Sequence, residues 1–261
     1  MKLVRFLVNA EISYGALEGR IIRRVAGDVF GKYALTDKEF NMDDVILLPP
    51  VAPPNIIAIG LNYIDHAGES GSKPPSRPII FIKATTSVIS HGDSIVLPLI
   101  APDEVDFEAE LCVVIGSTAK DISEAEALDY VLGYTCGNDV SARDCQRKLD
   151  TQWARAKSFD TFCPIGPYIE TEIPDPGNLD ICSRVNGAVM QKSNTRNMIF
   201  SVRHLISYCS RNMTLLPGTL IMTGTPEGVG FARNPPVFLR DGDTVEVEIE
   251  GIGVLKNNVK G

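Results

Sequence analysis

The chain has 261 residues, of which 44% are hydrophobic and 22% are charged, a composition typical of a soluble globular protein with a substantial core. Its formal net charge of −8 argues against general binding to nucleic acid or to anionic membranes, because phosphate contacts require clustered Lys and Arg. The longest apolar runs are far too short to cross a bilayer, and the N-terminal segment lacks the cleavage site of a secretory signal.

The six cysteines are scattered without a C-x-x-C pair, and most lie within apolar patterns. In the absence of an export signal, this usage is typical of a reducing compartment. There, buried thiols act as small hydrophobic groups rather than as disulfides or zinc ligands. We therefore expect a cytoplasmic protein.

Short β-like runs separated by glycine-containing turns predict a small antiparallel meander in residues 1–50. Residues 47–54 then carry four prolines in eight positions, so they can be neither a helix nor a central strand. We interpret them as a stiff connector. The predicted organisation is a small N-terminal domain at 1–50 and a larger domain at 51–261.

A buried-strand pattern at residues 55–60 leads into a short helical segment that carries His66 and Glu69. Residues three apart on a helix share a face, so the carboxylate can orient and polarise the imidazole as a general base. The polar residues 70–78, rich in Gly and Pro, predict a mobile lid beside this pair. The competing interpretation of the pair is an ordinary surface contact.

Residues 105–115 read as a strand around which the rest is organised. Its side chains alternate between two faces, one apolar and the other carrying Asp106, Glu108 and Glu110. Crowded like charges repel unless a cation lies between them. Asp139, at the end of the next apolar run, supplies a further ligand, so we expect Glu108, Glu110 and Asp139 to bind a metal ion. The alternative is a solvent-facing edge strand with Asp139 as a helix cap.

A helical pattern after Asp139 places Arg143 one turn from Gln146 and Arg147. Arg and Gln hold a substrate carboxylate by directed hydrogen bonds, and a solvated basic face is the alternative. Lys157 follows among apolar and small residues. A lysine in that setting either extends to water or is kept as a charge in a site.

The last third of the chain is predicted to be mostly β. Asn186 and Gly187 supply the positive φ angles of a type I′ hairpin turn. Residues 218–230 form a strand and a glycine-rich loop without the lysine of a P-loop or the G-x-G-x-x-G spacing, so no nucleotide is implied. Its glycines allow Thr225 and backbone N–H groups to approach a ligand. A tight structural turn is the competing interpretation.

Several blocks of the sequence, taken together, resemble the fumarylacetoacetate hydrolase family. The similarity covers roughly residues 50–261 and is carried, in family order, by residues 60–69, 106–110, 137–144, 157–160 and 223–230. Each block alone is weak evidence, but the set in this order is highly specific.

The resemblance implies an α+β, mostly β fold, with a mixed β-sandwich roll as the catalytic domain and a small N-terminal β-rich domain. It also implies a homodimer and a divalent ion, usually Mg²⁺, with Mn²⁺ or Ca²⁺ as alternatives. The implied site residues are the metal ligands Glu108, Glu110 and Asp139, the water-activating pair His66 and Glu69, the catalytic Lys157, and the substrate contacts Arg143, Gln146 and Thr225.

The expected activity is divalent-metal-dependent hydrolysis of the C–C bond of a 2,4-diketo acid of the acylpyruvate type. A 2-oxo acid chelates the ion, which stabilises the enolate that cleavage produces, while His66 activates water and Lys157 assists at the oxyanion. One alternative on the same site is decarboxylation or tautomerisation of oxaloacetate, or a hydroxymuconate-type isomerase or decarboxylase. Another is a non-catalytic protein with a structural cation.

Overall fold

The protein is built mostly of β-strands joined by short turns, as the alternating apolar patterns predict. The computed structural model describes residues 1–261. The strands are β1 (Lys2–Val8), β2 (Glu11–Glu18), β3 (Ile21–Gly27), β4 (Tyr33–Asn41), β5 (Ile46–Leu48), β6 (Ile56–Gly60), β7 (Ile79–Lys83), β8 (Val88–Ile89), β9 (Ser94–Val96), β10 (Val105–Asp106), β11 (Ala109–Ile115), β12 (Val131–Asn138), β13 (Ser141–Ala142), β14 (Cys163–Glu170), β15 (Asp180–Val185), β16 (Ala188–Asn194), β17 (Leu220–Met222), β18 (Thr244–Ile249) and β19 (Gly253–Lys260).

Helical structure is sparse. The α-helices are α1 (Ile64–Glu69), α2 (Ala154–Lys157) and α3 (Val202–Asn212), and one π-helical turn spans Cys145–Leu149. Short 3₁₀ turns lie at Met42–Asp44, Thr85–Ser87, Ala127–Tyr130, Thr195–Asn197 and Gly230–Ala232. None of the helices has the length and apolar character that crossing a bilayer requires.

Most strands belong to one large mixed sheet. Its strand order is β4-β3-β2-β1-β14-β12-β11-β17-β6-β7, with β5 paired to β1 and β8 paired to β14. The predicted N-terminal meander is therefore present as β1 to β4, and a short ladder between β1 and β14 makes it continuous with the rest of the sheet. The division of the chain into two domains at residue 50 stays a prediction.

A second sheet, in the order β16-β15-β18-β19-β9, packs against the large one. The main core lies between the two sheets and under α3, and it joins residues of β11 and β12 to residues of β15, β18 and β19. A second core covers the opposite face of the large sheet. This two-layer arrangement with a flanking helix confirms the predicted mostly β, sandwich-type fold.

The strand predicted at 105–115 is interrupted. β10 ends at Asp106, β11 begins at Ala109, and Glu108 donates its backbone N–H to the Asn138 side chain at 2.9 Å instead of to a neighbouring strand. β11 is buried on both faces, with Leu111 and Val113 in the main core and Cys112 and Val114 in the second core. The interruption separates Asp106 from the other two carboxylates, so the predicted single acidic face is wrong for Asp106.

The predicted hairpin is confirmed. β15 and β16 pair through Asn186 and Gly187, whose φ angles are +52° and +80°. Both values lie in the left-handed region that a type I′ turn requires.

Candidate active site

Three carboxylates meet at one end of β11. Glu108 precedes the strand, Glu110 lies within it, and Asp139 follows β12, the next strand in the sheet. One carboxylate oxygen from each residue lies within 4.8 Å of those from the other two, and all three residues are buried. The sequence prediction that these three side chains converge therefore agrees with the structure, whereas the solvent-facing alternative does not.

Two lysines and an arginine surround this cluster. Lys157 Nζ lies 2.8 Å from Glu108 Oε2 and 2.6 Å from Asp139 Oδ2, Arg143 Nη2 lies 2.6 Å from Glu108 Oε1, and Lys83 forms an ion pair with Asp139. Burial acts to lower the pKa of Lys157, but the charges of Asp139 and Glu108 outweigh burial and raise it. Lys157 is therefore a buried ammonium group within the site and does not extend to water.

Lys83 is a residue that the sequence interpretation missed. It is the last residue of β7, an otherwise apolar strand, and is 1% exposed. A lysine closing a hydrophobic strand is costly to bury without a partner, so its position was a weak signal for a buried carboxylate elsewhere in the chain. Only the folded chain identifies that partner as Asp139.

Glu110 is the carboxylate of the cluster without a cationic partner. It accepts the backbone N–H of Gly224 at 2.8 Å, and no Lys, Arg or His forms an ion pair with it. Burial, followed by the charges of Asp139 and Glu108, raises its pKa well above the usual range. Three hard oxygen donors with an uncompensated charge fit a divalent cation such as Mg²⁺, Mn²⁺ or Ca²⁺.

Asp106 holds the wall of the site instead of joining the acidic cluster. Its carboxylate accepts Arg143 Nε at 2.8 Å and the backbone N–H groups of Gly230 and Phe231 at 2.7 and 3.0 Å. It thereby ties the segment after β13 to the glycine-rich loop after β17. The role of Asp106 in the structure is to orient Arg143.

We expect Asp106→Asn to lower the free energy of unfolding by about 1–3 kcal/mol, because it removes one of the two carboxylates paired with the buried Arg143 guanidinium and leaves Glu108 as the other. The amide nitrogen would also face N–H donors that the carboxylate now accepts. Urea unfolding measures the change. Asp129→Asn, at an exposed position, is the control and is expected to change stability by less than about 0.5 kcal/mol. Equal stability of the two variants would contradict this role for Asp106.

The predicted His–Glu pair is formed on α1. His66 Nδ1 lies 2.7 Å from Glu69 Oε1, and Glu69 Oε2 accepts the backbone N–H of Gly228 at 2.9 Å. The second contact connects α1 to the glycine-rich loop, so Glu69 is held from both sides. This carboxylate can fix the orientation of the imidazole ring, as a general acid–base group requires.

The turn between β6 and α1 is held by buried polar contacts. Leu61 has a φ of +52°, a backbone conformation that residues other than glycine rarely adopt. The following Asn62 is fully buried and donates its amide to the carbonyl groups of Thr223 and Phe200. These contacts hold the start of α1 against the glycine-rich loop.

A cavity of about 210 Å³ opens onto Glu108 of the cluster. His66, Glu108 and Lys157 line it together with Arg143, Gln146 and Arg147, and its apolar wall is made by residues that include Phe81, Trp153 and Phe231. This volume is below the roughly 300–1,000 Å³ typical of sites for drug-sized ligands, so the cavity suits a small ligand. A larger groove of about 810 Å³ near the N-terminus contains none of these residues, and the chemistry therefore identifies the smaller cavity as the site.

Gly60 allows the Trp153 ring of the apolar wall to pack directly against the backbone of β6. A Cβ atom at this position would lie 2.3 Å from Cζ3 of Trp153, so a side chain there would displace the indole ring from the cavity.

Most of the side chains predicted for the site are brought together, with one exception. Gln146 lies at the cavity and accepts Arg143 Nη1 at 2.7 Å. Thr225 is 3% exposed and does not line the cavity. Its hydroxyl donates to the Ala109 carbonyl and accepts the Gln191 amide. These contacts hold the glycine-rich loop against β11, and a substrate contact by Thr225 stays a prediction.

A sandwich-type fold carries a buried carboxylate cluster, the His66–Glu69 pair and a buried lysine beside one small cavity, an arrangement typical of an enzyme active site. Residues 55–260 match the family described as "Fumarylacetoacetate (FAA) hydrolase C-terminal", and residues 1–50 match "Rv2993c-like, N-terminal". The chain belongs to the fumarylacetoacetate hydrolase family.

Three similar proteins illustrate the range of named activities. "Oxaloacetate tautomerase Fahd2a, mitochondrial" from Rattus norvegicus is 48% identical, over 82% of this chain and 68% of its own length. The structure of "5-carboxymethyl-2-hydroxymuconate delta-isomerase" from Mycobacterium smegmatis is 42% identical with a TM-score of 0.90, covering 100% of this chain and 99% of its own. The structure of "Fumarylacetoacetate hydrolase (EaFAH)" from Exiguobacterium antarcticum is 37% identical with a TM-score of 0.90 and the same coverage.

Proposed function

We propose that this enzyme catalyses keto–enol isomerisation of a small 2-oxo acid, with oxaloacetate as the first candidate substrate. The observation that carries the proposal is the cavity lined together by His66, Lys157 and Glu108, the last of which belongs to the acidic cluster. Relatives named as an oxaloacetate tautomerase and a hydroxymuconate isomerase favour isomerisation over C–C hydrolysis, which we expected first from the sequence.

Keto–enol isomerisation moves one proton between C3 and the oxygen on C2. Lys157 is kept protonated by Glu108 and Asp139, so it is suited to donate a hydrogen bond to the oxygen that becomes negatively charged. His66, oriented by Glu69, is the candidate group that exchanges a proton with C3. When bound at the acidic cluster, a divalent cation would supply the Lewis acidity that stabilises the enolate.

Hydrolysis of a 2,4-diketo acid is the second candidate. The His66–Glu69 pair favours it, because the same imidazole is placed to take a proton from a water molecule. The relative from Exiguobacterium antarcticum carries the name of a hydrolase. Two features of the sequence interpretation, a homodimer and a cytoplasmic location, stay predictions.

The decisive experiment supplies the purified protein and Mg²⁺ with oxaloacetate, and separately with acetylpyruvate. Loss of enol absorbance and deuterium incorporation at C3 measure isomerisation, release of CO₂ measures decarboxylation, and formation of pyruvate and acetate measures hydrolysis. We expect oxaloacetate isomerisation well above the buffer rate without equivalent CO₂ release. Cleavage of acetylpyruvate with no acceleration of oxaloacetate exchange would replace the proposal by hydrolysis.

We expect His66→Gln to slow deuterium exchange at C3 of oxaloacetate about 100-fold, since general acid–base catalysis contributes roughly 10²- to 10⁴-fold and Lys157 remains in place. Nuclear magnetic resonance follows the exchange directly. His204→Gln is the matched control, because His204 pairs with Glu124 on the surface and lies outside the cavity. Equal rates for the two variants would remove His66 from the proton transfer.

A further inference from the structure

Two of the cations that line the cavity are already neutralised within the protein. Lys157 is paired with Glu108 and Asp139. Arg143 is paired with Asp106 and Glu108, and it donates Nη1 to Gln146. Neither side chain brings an uncompensated positive charge to a ligand that enters the cavity.

Arg147 lines the same cavity but has no partner of this kind. It is exposed, and the chain contains no ion pair and no hydrogen bond from its guanidinium group. Its neighbour Lys148, in contrast, is paired with Glu104 at 2.5 Å and does not line the cavity. Arg147 is therefore the arginine of the cavity whose N–H groups are free to bind an anion.

Phe231 holds this guanidinium in place. The Cζ atom of Arg147 lies 4.4 Å from the centroid of the Phe231 ring, and Cζ of Arg143 lies 4.5 Å from the same centroid. The backbone N–H of Phe231 is in turn bound by Asp106. A guanidinium that stacks on an aromatic ring keeps its N–H edge available for bidentate hydrogen bonds, so Arg147 is fixed in position while its donors remain unused.

We propose that Arg147 binds the second carboxylate of a 2-oxo dicarboxylate, and that it thereby selects substrates carrying a negative charge at the end remote from the keto acid group. This inference rests on the proposed function, in which the keto acid group lies at the acidic cluster. Arg143 contacts Glu108 of that cluster and shares Phe231 with Arg147. Arg143 therefore links the cluster to the free guanidinium, and the proposal places the diacid along this line with its distal carboxylate at Arg147.

The test measures binding of two inert acids of equal carbon number by titration calorimetry in Mg²⁺. Malate carries the distal carboxylate, whereas 2-hydroxybutyrate has a methyl group in its place. We expect Arg147→Met to weaken malate binding about 10- to 100-fold, the worth of a charge-assisted bidentate contact, and to leave 2-hydroxybutyrate binding unchanged. Arg147→Lys keeps the charge without the planar fork and is expected to retain part of the preference.

Lys148→Met is the matched control, because it removes one positive charge from the adjacent position outside the cavity. Preserved preference for malate in this variant supports a local contact by Arg147. The inference is overturned if Lys148→Met weakens malate binding as strongly, if Arg147→Met weakens both acids equally, or if the unmodified protein shows no preference for malate.

Measuring turnover as well as binding distinguishes a failure of the Arg147 inference from a failure of the proposed function. Malate preference that depends on Arg147, without isomerisation of oxaloacetate, would retain the anion site and reject the proposed reaction. Isomerisation of oxaloacetate and of its 4-methyl ester with equal kcat/KM, unchanged by Arg147→Met, would retain the reaction and reject the role of Arg147.

Discussion

Glu110→Gln is expected to abolish turnover that depends on a divalent cation and, at the same time, to raise the melting temperature of the protein in chelator. Turnover should be lost because Glu110 is a proposed ligand of the cation. The melting temperature should rise because Glu110 is buried with two neighbouring carboxylates and no cationic partner. Glutamine keeps an oxygen that can accept the Gly224 N–H but removes the repelled charge. The gain in the free energy of unfolding is about 1–3 kcal/mol, or about 2–4 °C in melting temperature per kcal/mol for a chain of this size.

The pH dependence of this gain has a defined sign. Because the folded-state pKa of Glu110 is raised, its contribution to stability is fully present at low pH and is lost as pH rises through the folded pKa. In chelator, the difference in melting temperature between Glu110→Gln and the unmodified protein should therefore widen as pH increases. Thermal unfolding over a pH series measures it.

The same melting temperatures are also measured with Mg²⁺ added. Mg²⁺ is expected to raise the melting temperature of the unmodified protein by linkage to folding and to leave Glu110→Gln nearly unaffected. Glu248→Gln, which removes a half-exposed carboxylate paired with Arg184, is the control and should retain the Mg²⁺ response. A Glu110→Gln protein that is active and stabilised by Mg²⁺ would refute the assignment of the acidic cluster as a metal site.

Lys157→Met is expected to reduce turnover by about 10³-fold or more and to lower the free energy of unfolding by about 3–5 kcal/mol. The loss of rate follows from removing the buried ammonium group at the cavity, which we propose stabilises charge on the substrate oxygen. The loss of stability arises because Glu108 and Asp139 remain buried with one cation fewer. Steady-state kinetics at saturating Mg²⁺ and urea unfolding measure the two effects separately.

Lys83→Met provides the comparison that distinguishes chemistry from charge balance. Lys83 is paired with the same Asp139 but does not line the cavity. We expect a similar loss of stability and a much smaller loss of kcat at saturating Mg²⁺. If both lysine variants lose kcat to the same extent, Lys157 acts only as a counter-charge and has no contact with substrate.

Local patterns in the sequence predicted two of the close contacts in the candidate site. The pairing of His66 with Glu69 depends only on a spacing of three residues along a helix. Glu108 and Glu110 are two residues apart at the start of β11, so their closeness also follows from short sequence spacing, although Glu108 itself precedes the strand. In each case the partners are close in sequence, and local backbone geometry brings them together.

Ion-pair partners that are distant in sequence could not be predicted from local patterns. Lys83 and Asp139 are 56 positions apart, and Asp106 and Arg143 are 37 positions apart. Periodicity contains no information on which buried lysine meets which buried carboxylate, because strand order and register decide it. The break between β10 and β11 was missed for the same reason, since it depends on the Asn138 side chain of the adjacent strand.

The sequence by itself predicts the mostly β fold, the family resemblance, the carboxylates of the acidic cluster and the His66–Glu69 pair. These features depend on local periodicity and on short motifs. The tertiary structure alone decided which cations neutralise the carboxylates and which do not. Glu110 is left without a cation inside the protein and Arg147 without an anion, whereas the packing of distant strands and loops pairs Arg143 with Asp106 and Glu108, and Lys157 with Glu108 and Asp139. The proposed experiments therefore test Glu110 for binding a divalent cation and Arg147 for binding a substrate carboxylate.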